Sequence, residues 1–283
     1  MSDPGSVDPS SGGLDAAGAA LWEQHAAWWQ EHFTDGADPE YTEQILPLVA
    51  RWAQGATRVC EVGCGEGQVA RAVASAGVPE VVGLDPSVNQ LSVARVRGGG
   101  PVYVRAGAGS LPLADGSVDG VVVCLVFEHL DDVEAPLREV ARVLVPGGRF
   151  LLLVNHPLLQ TPGSGWVEDH LVDPPEQYWQ LGEYLRPQAV VEEVSRGVHI
   201  RFVHRPLGGY FNAAADAGFV LTHVDEPPPP PGFLAAAPAY AAAAHIPRLL
   251  ALSWRWRPEV LAPPGHPDDG ASPSPDDGPR RPS

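Results

Sequence analysis

The sequence predicts an α/β protein: a doubly wound, seven-stranded, mostly parallel sheet, preceded by helices and interrupted late by an inserted cover. Three observations carry that expectation. From Arg58 onward, short apolar runs alternate with helical segments. Val121-Val122-Val123 and Leu151-Leu152-Leu153-Val154 are apolar at every position, as strands covered on both faces must be. A third run, Val59-Cys60-Glu61-Val62, leads into Gly63-Cys64-Gly65-Glu66-Gly67, a strand entering a glycine turn ahead of a helix.

The elements follow in order. From Leu14 to about Trp52 the pattern is helical, with Trp22, His25, Ala26, Trp29 and Phe33 spaced on one face. Asp38-Pro39 reads as a helix start, Asp capping and Pro in the first turn. Tyr41, Ile45, Leu48, Val49 and Trp52 form the next stripe, with a kink expected at Pro47. Strands are expected at Arg58–Val62, Glu80–Leu84, Val102–Arg105, Gly120–Leu125 and Phe150–Val154, and helices at Gln68–Ala76, Ser87–Val96 and Val133–Leu144. Residues 155–205, rich in Pro, Trp, Tyr and His, show no clear period and read as a cover, with His199 on a strand within it. Pro206–Ala217 resumes as a helix, with strands at Phe219–Val224 and Arg248–Trp256. Between these strands lie the Pro227–Pro231 run and an Ala-rich helix near Ala235–Ala244.

Composition excludes much chemistry. Among 283 residues, 35 acidic against 18 basic give a net charge of -17, a field that repels phosphate backbones and anionic lipid. Every basic residue is Arg, so there is no Walker-type phosphate loop, Schiff-base amine or pyridoxal anchor. Cys60, Cys64 and Cys124 make neither a disulfide framework nor two ligand pairs for zinc, and no metal is expected. No apolar run approaches the length of a membrane span, and Met1–Gly13 lacks a signal pattern, so a soluble cytoplasmic protein is the expectation.

The glycine turn limits the ligand. A dinucleotide fingerprint needs G-x-G-x-x-G, but here the third glycine comes one residue early and Gln68 takes its slot. Glu61 and Glu66 flank the turn, where carboxylates oppose a pyrophosphate and welcome an ammonium or sulfonium. Asp85 closes the next strand roughly 20 residues on, the usual place for a carboxylate that accepts ribose hydroxyls. Asp85-Pro86-Ser87 is also a good helix-start string, so a purely capping role competes.

These residues resemble a class I S-adenosylmethionine-dependent methyltransferase, of the small-molecule group similar to quinone-biosynthesis methyltransferases, over about Val59–Val154. The resemblance implies a Rossmann-like fold and S-adenosyl-L-methionine as cofactor. It implies that Glu61 and the Gly63, Cys64, Gly65 and Gly67 backbone hold the methionine part and that Asp85, followed by Pro86, holds the ribose. Arg105–Leu113 resembles the adenine-contacting segment; Gly107 stands where relatives often carry Asp, leaving Ala108 and nearby backbone to read the base. The strand through Val121 would end beside the methyl, with Cys124 and Leu125 facing the cofactor. The Leu144–Phe150 stretch matches the family's Pro-Gly-Gly turn.

The domain reading is then a disordered N-terminus (1–13), a helical lid (14–57), a cofactor-binding core (58–154), a substrate-cover insertion (155–205), a C-terminal helix and strands completing the sheet (206–260) and a disordered tail (261–283). Methyl transfer needs an aligned nucleophile and, for hydroxyl substrates, a base. His156 and His204 are the favoured candidates, as base or polar anchor, and His129 is a third, for which a helix-start or packing role competes equally. Trp22 and Trp29 in the lid and Trp166 and Tyr178 in the insertion are expected to wall an aromatic or apolar pocket; Arg205 could meet a substrate carboxylate, although a solvent-facing or structural ion pair is the stronger expectation for it. The expected function is methyl transfer to oxygen or nitrogen of a small metabolite, by a monomer or homodimer without nucleic-acid or membrane partners. The alternative is a protein that binds the same cofactor in a non-methylating or regulatory role.

Overall fold

Seven strands form one sheet in the order β10 (Phe219–Asp225), β11 (Leu249–Trp256), β5 (Leu144–Asn155), β4 (Val118–Cys124), β1 (Arg58–Val62), β2 (Glu80–Asp85), β3 (Val102–Arg105), in which only β11 runs antiparallel to its neighbours. The computed structural model describes residues 16–261. The expectations for residues 1–13 and for the tail beyond Leu261 lie outside the described residues.

The chain opens with α1 (Ala16–Gln24) and α2 (Ala26–Phe33), then a π-helical turn (Tyr41–Ile45) that runs into α3 (Leu46–Ala53). Asp38 caps as expected, its Oδ1 accepting from the Glu40 amide at 2.8 Å. The irregularity expected at Pro47 takes the form of the wide turn before it. A proline cannot donate into the preceding turn and its ring crowds the carbonyl four residues back.

The core elements are β1 (Arg58–Val62), α4 (Gln68–Ser75), β2 (Glu80–Asp85), α5 (Val88–Arg97), β3 (Val102–Arg105), β4 (Val118–Cys124), α6 (Glu134–Val143) and β5 (Leu144–Asn155). Because strand side chains alternate, Val121 and Val123 enter one apolar layer with Phe127, Leu137 and Phe150, while Val122 enters the other with Val69, Val73 and Leu91. Both layers are needed, which explains the unbroken apolar strands. From β1 the chain moves outward to β2 and β3, then returns to β4 on the opposite side. The loops leaving β1 and β4 therefore part at their carboxyl ends and open a crevice.

The insertion is more regular than its sequence suggested. After α7 (Pro157–Gln160) it forms two antiparallel hairpins, β6 (Gly165–Asp169) with β7 (Glu176–Gln180) and β8 (Gln188–Ser195) with β9 (Val198–His204), and His199 lies on a strand as expected. β6, β7 and β8 are at most half-covered, and in β8 the polar Glu192 faces inward while Val191 faces out; β9 alone alternates, with Val198 and Ile200 buried on either side of exposed His199. α8 (Leu207–Asp216), β10 (Phe219–Asp225) and β11 (Leu249–Trp256) match the expected final elements closely. The single Ala-rich helix does not form. α9 (Pro231–Ala236) stops and a 3-10 segment (Pro238–Ala243) follows, since Pro238 cannot continue an α-helix.

The lid is tied to the sheet's far end: Gln44 Nε2 donates to the Pro228 carbonyl at 2.8 Å, and the Gly232 amide to Glu43 Oε2 at 3.0 Å. At the opposite, amino end of the sheet, Asp119 receives the Thr57 amide (2.8 Å), the Thr57 hydroxyl (2.6 Å) and the Arg58 amide (3.1 Å). Burial pushes its carboxyl up, but these bonds and the Arg149 charge outweigh it and hold it below the usual 3.8. A depressed carboxylate stabilises the fold above its unfolded pKa and loses that contribution as the pH falls through the lower folded value. Asp119→Ala is therefore expected to lose about 1 kcal/mol near pH 7. The gap to the parent protein in thermal melts should narrow as the pH falls below the usual carboxyl value of 3.8.

Candidate active site

The turn after β1 folds back on β2. The amides of Gly63 and Cys64 both donate to the Leu84 carbonyl, at 2.7 and 2.9 Å, and the Gly65 amide donates to Asp85 Oδ2 at 2.8 Å. The three glycines hold left-handed backbone, with φ of +75°, +52° and +86°. Two of them are also sterically required: a Cβ at Gly63 would meet Val126 Cγ2 at 2.3 Å, and one at Gly67 the Tyr103 hydroxyl at 2.3 Å. Gly65 differs, since its Cβ would approach nothing closer than Gln90 at 3.9 Å. That face of the turn is open to the crevice.

Ser87, not Asp85, is the N-cap of α5, accepting the Gln90 amide at 3.1 Å. Asp85 instead locks the turn and the chain after β2, its Oδ1 taking the Ser87 amide at 2.8 Å. Burial raises its carboxyl to about 6 even though the Ser87 and Gly65 amides pull it down. Lone pairs remain on both oxygens for a further donor.

The two glutamates of the turn have different fates. Glu66 is buried, but its Oε2 pairs with Arg71 at 2.7 Å and with Arg97, so it adds little negative potential; the expected double anionic cradle reduces to Glu61 with Asp85. Glu61 is 2% exposed, and its Oε2 has no hydrogen-bond partner. Burial pushes its carboxyl well above the ordinary range; an Ala70 amide bond opposes this, and the Glu66 and Asp85 charges add to it.

Above the turn lies a cleft of about 720 Å³, its open mouth included. Glu61, Gly63, Cys64, Gly65, Asp85, Pro86, Cys124 and Leu125 line it, together with Trp22, Trp29 and His129. Gly67 sits just behind, at the N-cap of α4. Gly107 and Ala108 lie off its lining: Ala108 packs in the core and Gly107 faces open space. Leu125 holds left-handed backbone (φ +54°), a strained state for a leucine, at the carboxyl end of β4. A second cavity of about 910 Å³, mouth included, adjoins the cleft and shares Trp22, Trp29, Tyr41, Leu125 and His129 with it.

Of the candidate histidines, only His129 reaches these cavities. Its Nδ1 lies 2.8 Å from the Arg201 carbonyl, which places the proton on Nδ1 and leaves Nε2 as an acceptor. Burial, opposed by that bond and aided by the Arg201 charge, lowers it to about 4, so the ring is neutral at physiological pH. His156 and His204 require correction. His156 is fully buried, with Nε2 2.7 Å from Glu226 Oε1 and Nδ1 accepting the Leu158 amide at 3.2 Å; both nitrogens hold structure. His204 Nε2 is 2.8 Å from the Tyr184 carbonyl, and neither histidine lines either cavity.

The insertion aromatics are also displaced. Trp166 crosses Trp179 within the first hairpin, ring centroids 6.0 Å apart, and Tyr178 is exposed; neither faces the cavities. Arg205 donates to the carbonyls of Phe127, at 3.0 Å, and of Leu130, fastening the segment after β4 rather than meeting substrate. The sequence reading missed Tyr41, Gln90, Asn155, Ile200 and Phe202 as lining residues. Tyr41 was legible only as part of a packing stripe, and the others carry no signal until the fold brings them together.

A methyltransferase-domain family model matches residues 60–152. An uncharacterized methyltransferase of Mycobacterium tuberculosis is 35% identical over 131 residues, 46% of this chain and 49% of that protein. A ubiquinone/menaquinone biosynthesis C-methyltransferase of Rubrivivax gelatinosus is 38% identical over 101 residues, 35% of this chain and 40% of that protein. The chain thus spans about half the length of the curated relatives, or less. A solved S-adenosylmethionine dependent methyltransferase from Mesorhizobium loti matches more fully: 30% identity, TM-score 0.64, 78% of this chain and 99% of that one. The chain belongs to the S-adenosylmethionine-dependent methyltransferases.

Methyltransferases of this family take S-adenosylmethionine, and the residues here fit it. The unpartnered Glu61 oxygen suits an ammonium, the open side of Gly65 admits close approach, and Asp85 keeps acceptor capacity for hydroxyls. Glycine substitutions should separate folding from binding. Gly65→Ala is expected to cost only about 1 kcal/mol of stability yet weaken S-adenosylhomocysteine binding in calorimetry. Gly63→Ala should lower the melting temperature further, because its Cβ overlaps Val126 as well.

Proposed function

We propose that the protein transfers a methyl group from S-adenosylmethionine, held in the glycine-lined cleft, to oxygen or nitrogen of a small molecule in the adjoining cavity. The observation that carries this reading is the buried Glu61 carboxyl with an unsatisfied oxygen at the head of the cleft. Such a group costs free energy unless a cation or donor meets it, and the cofactor's amino-acid end brings an ammonium. Asp85 accepts from the ribose while its backbone bonds keep the turn in shape.

When bound, the cofactor supplies an activated methyl: the acceptor's lone pair bonds to the methyl carbon as the carbon–sulfur bond breaks and its electron pair passes to sulfur. The chain's task is alignment and exclusion of water. Leu125, pinned by its amide to the Leu153 carbonyl at 2.8 Å, lies where cleft and cavity meet. His129 presents Nε2 at the same boundary. Its low basicity suits it to orient a hydroxyl or amine hydrogen rather than to store the released proton, which leaves to solvent. Trp22, Trp29 and Tyr41 of the lid wall both spaces, and the second hairpin covers the cavity with Glu192, Val194, Ile200 and Phe202.

The decisive experiment is calorimetry with S-adenosylhomocysteine, followed by labelled methyl incorporation into a small-molecule extract. No binding heat overturns the reading. Glu61→Gln should weaken binding by about 2 kcal/mol or more, roughly 30-fold. Because the free carboxyl is protonated too readily, binding to the parent protein should release a proton and tighten as pH rises, and the variant should lose that slope. His129→Asn keeps a donor for the Arg201 carbonyl but removes the Nε2 acceptor. It is expected to lower kcat by about tenfold or more while leaving cofactor affinity unchanged.

A further inference from the structure

We propose that the second cavity takes an acceptor carrying a positively charged nitrogen group on a flat apolar body, seated against its aromatic wall beside Asp38 and Glu192. This deepens the proposed function and rests on the donor occupying the neighbouring cleft.

The wall is continuous. Phe33 stacks on Trp29 with centroids 4.3 Å apart, Trp29 meets Trp22 edge to face at 5.3 Å, Trp22 meets His129 at 4.8 Å, and His129 meets Phe202 at 4.9 Å. All five line the cavity. Ring faces carry negative potential and attract cations, especially where water is thinned out.

The charges point the same way. Among the described lining residues, Arg248 is the sole side chain with a fixed positive charge, and it is already committed. Its guanidinium holds Glu40 through two bonds of 2.8 and 3.2 Å and lies 4.2 Å from the Phe233 ring centroid and 4.8 Å from that of Tyr240. Arg205 is taken by backbone carbonyls, and Arg201, which pairs with Asp131 through one nitrogen and keeps a buried Nη1 without a hydrogen-bond partner, lies off the lining of the cavity. On the acidic side, Glu40 is matched but Asp38 and Glu192 have no ion-pair partner among the described residues. Asp38 takes only the Glu40 amide at 2.8 Å. Burial raises both carboxyls, Asp38 to about 6; at Asp38 the Glu40 amide and the Arg248 charge oppose the rise and the Glu40 charge adds to it. Two unmatched carboxylates also offset the positive donor next door. The charged group anchors the acceptor; the reacting lone pair belongs to a different, neutral atom, because a protonated nitrogen has none to give.

The test uses tryptophan fluorescence of the full chain, with and without S-adenosylhomocysteine, titrated with benzyltrimethylammonium and with phenylacetate. The cation is expected to bind about tenfold or more tightly than the anion. In Asp38→Asn/Glu192→Gln that preference should collapse to about twofold, with S-adenosylhomocysteine affinity unchanged. Asn at 38 retains an acceptor for the capping bond. Should the double variant fail to fold, each single variant should lower cation affinity about threefold. Equal or tighter binding of phenylacetate, or an unchanged preference in the folded variants, overturns the proposal. If S-adenosylhomocysteine binds but the cation does not, this inference falls alone; if the cation binds and S-adenosylhomocysteine does not, the donor reading falls and the cavity's preference for cations stands.

Discussion

The bond from the Gly65 amide to Asp85 is the constraint on which the site depends. It joins the turn after β1 to the end of β2 and holds three left-handed glycines that no tight-turn residue with a side chain could replace without collision at two of them. Asp85 is thereby placed at the mouth of the crevice with lone pairs to spare. Were the turn to relax, the Glu61 carboxyl, which the strand brings up from below, would lose the wall that keeps it dry.

The electrostatics are more selective than a count of acidic residues suggests. Glu66 is neutralised by Arg71 and Arg97, and Arg97 also reaches Asp35 at 2.8 Å and the Thr34 hydroxyl at 2.9 Å. The glycine turn is therefore fastened to the lid by the same cation that cancels its second charge. The remaining carboxyl, Glu61, lies behind, in low-dielectric surroundings where one unmatched charge outweighs several screened ones. A net charge of -17 spread over the surface says little about such a point.

Most of the sheet was legible in the sequence: the central strands are buried on both faces and read as unbroken apolar runs, β1 and the edge strand β3 fall at the residues expected, and β2, β4 and β5 differ at their ends. The cofactor cleft was legible for the same reason, since Glu61, the glycines and Asp85 occupy strand ends whose spacing the fold dictates. The acceptor side was not. Its hairpins bury one shallow face, so Trp166 and Tyr178 looked like pocket walls although they face each other's strand or solvent. His156 follows β5 at the functional edge of the sheet and His204 ends β9 of the last hairpin, yet their rings are taken by Glu226 and the Tyr184 carbonyl. Spacing along the chain shows which edge a residue reaches but not which neighbour claims its side chain.

The shared boundary between the two cavities follows from this division. Trp22 and Trp29 come from the lid, Leu125 and His129 from the segment after β4, and Phe202 from the last hairpin, so three separate parts of the chain meet where the methyl would pass. Each is anchored by its own bond: the lid through Arg97 and Glu66, the β4 end through Leu125 and Leu153, the hairpin through the Arg201 carbonyl and His129. The Arg201–His129 contact is where the two halves touch: the same bond that fixes the tautomer of His129 ties the acceptor wall to the donor strand.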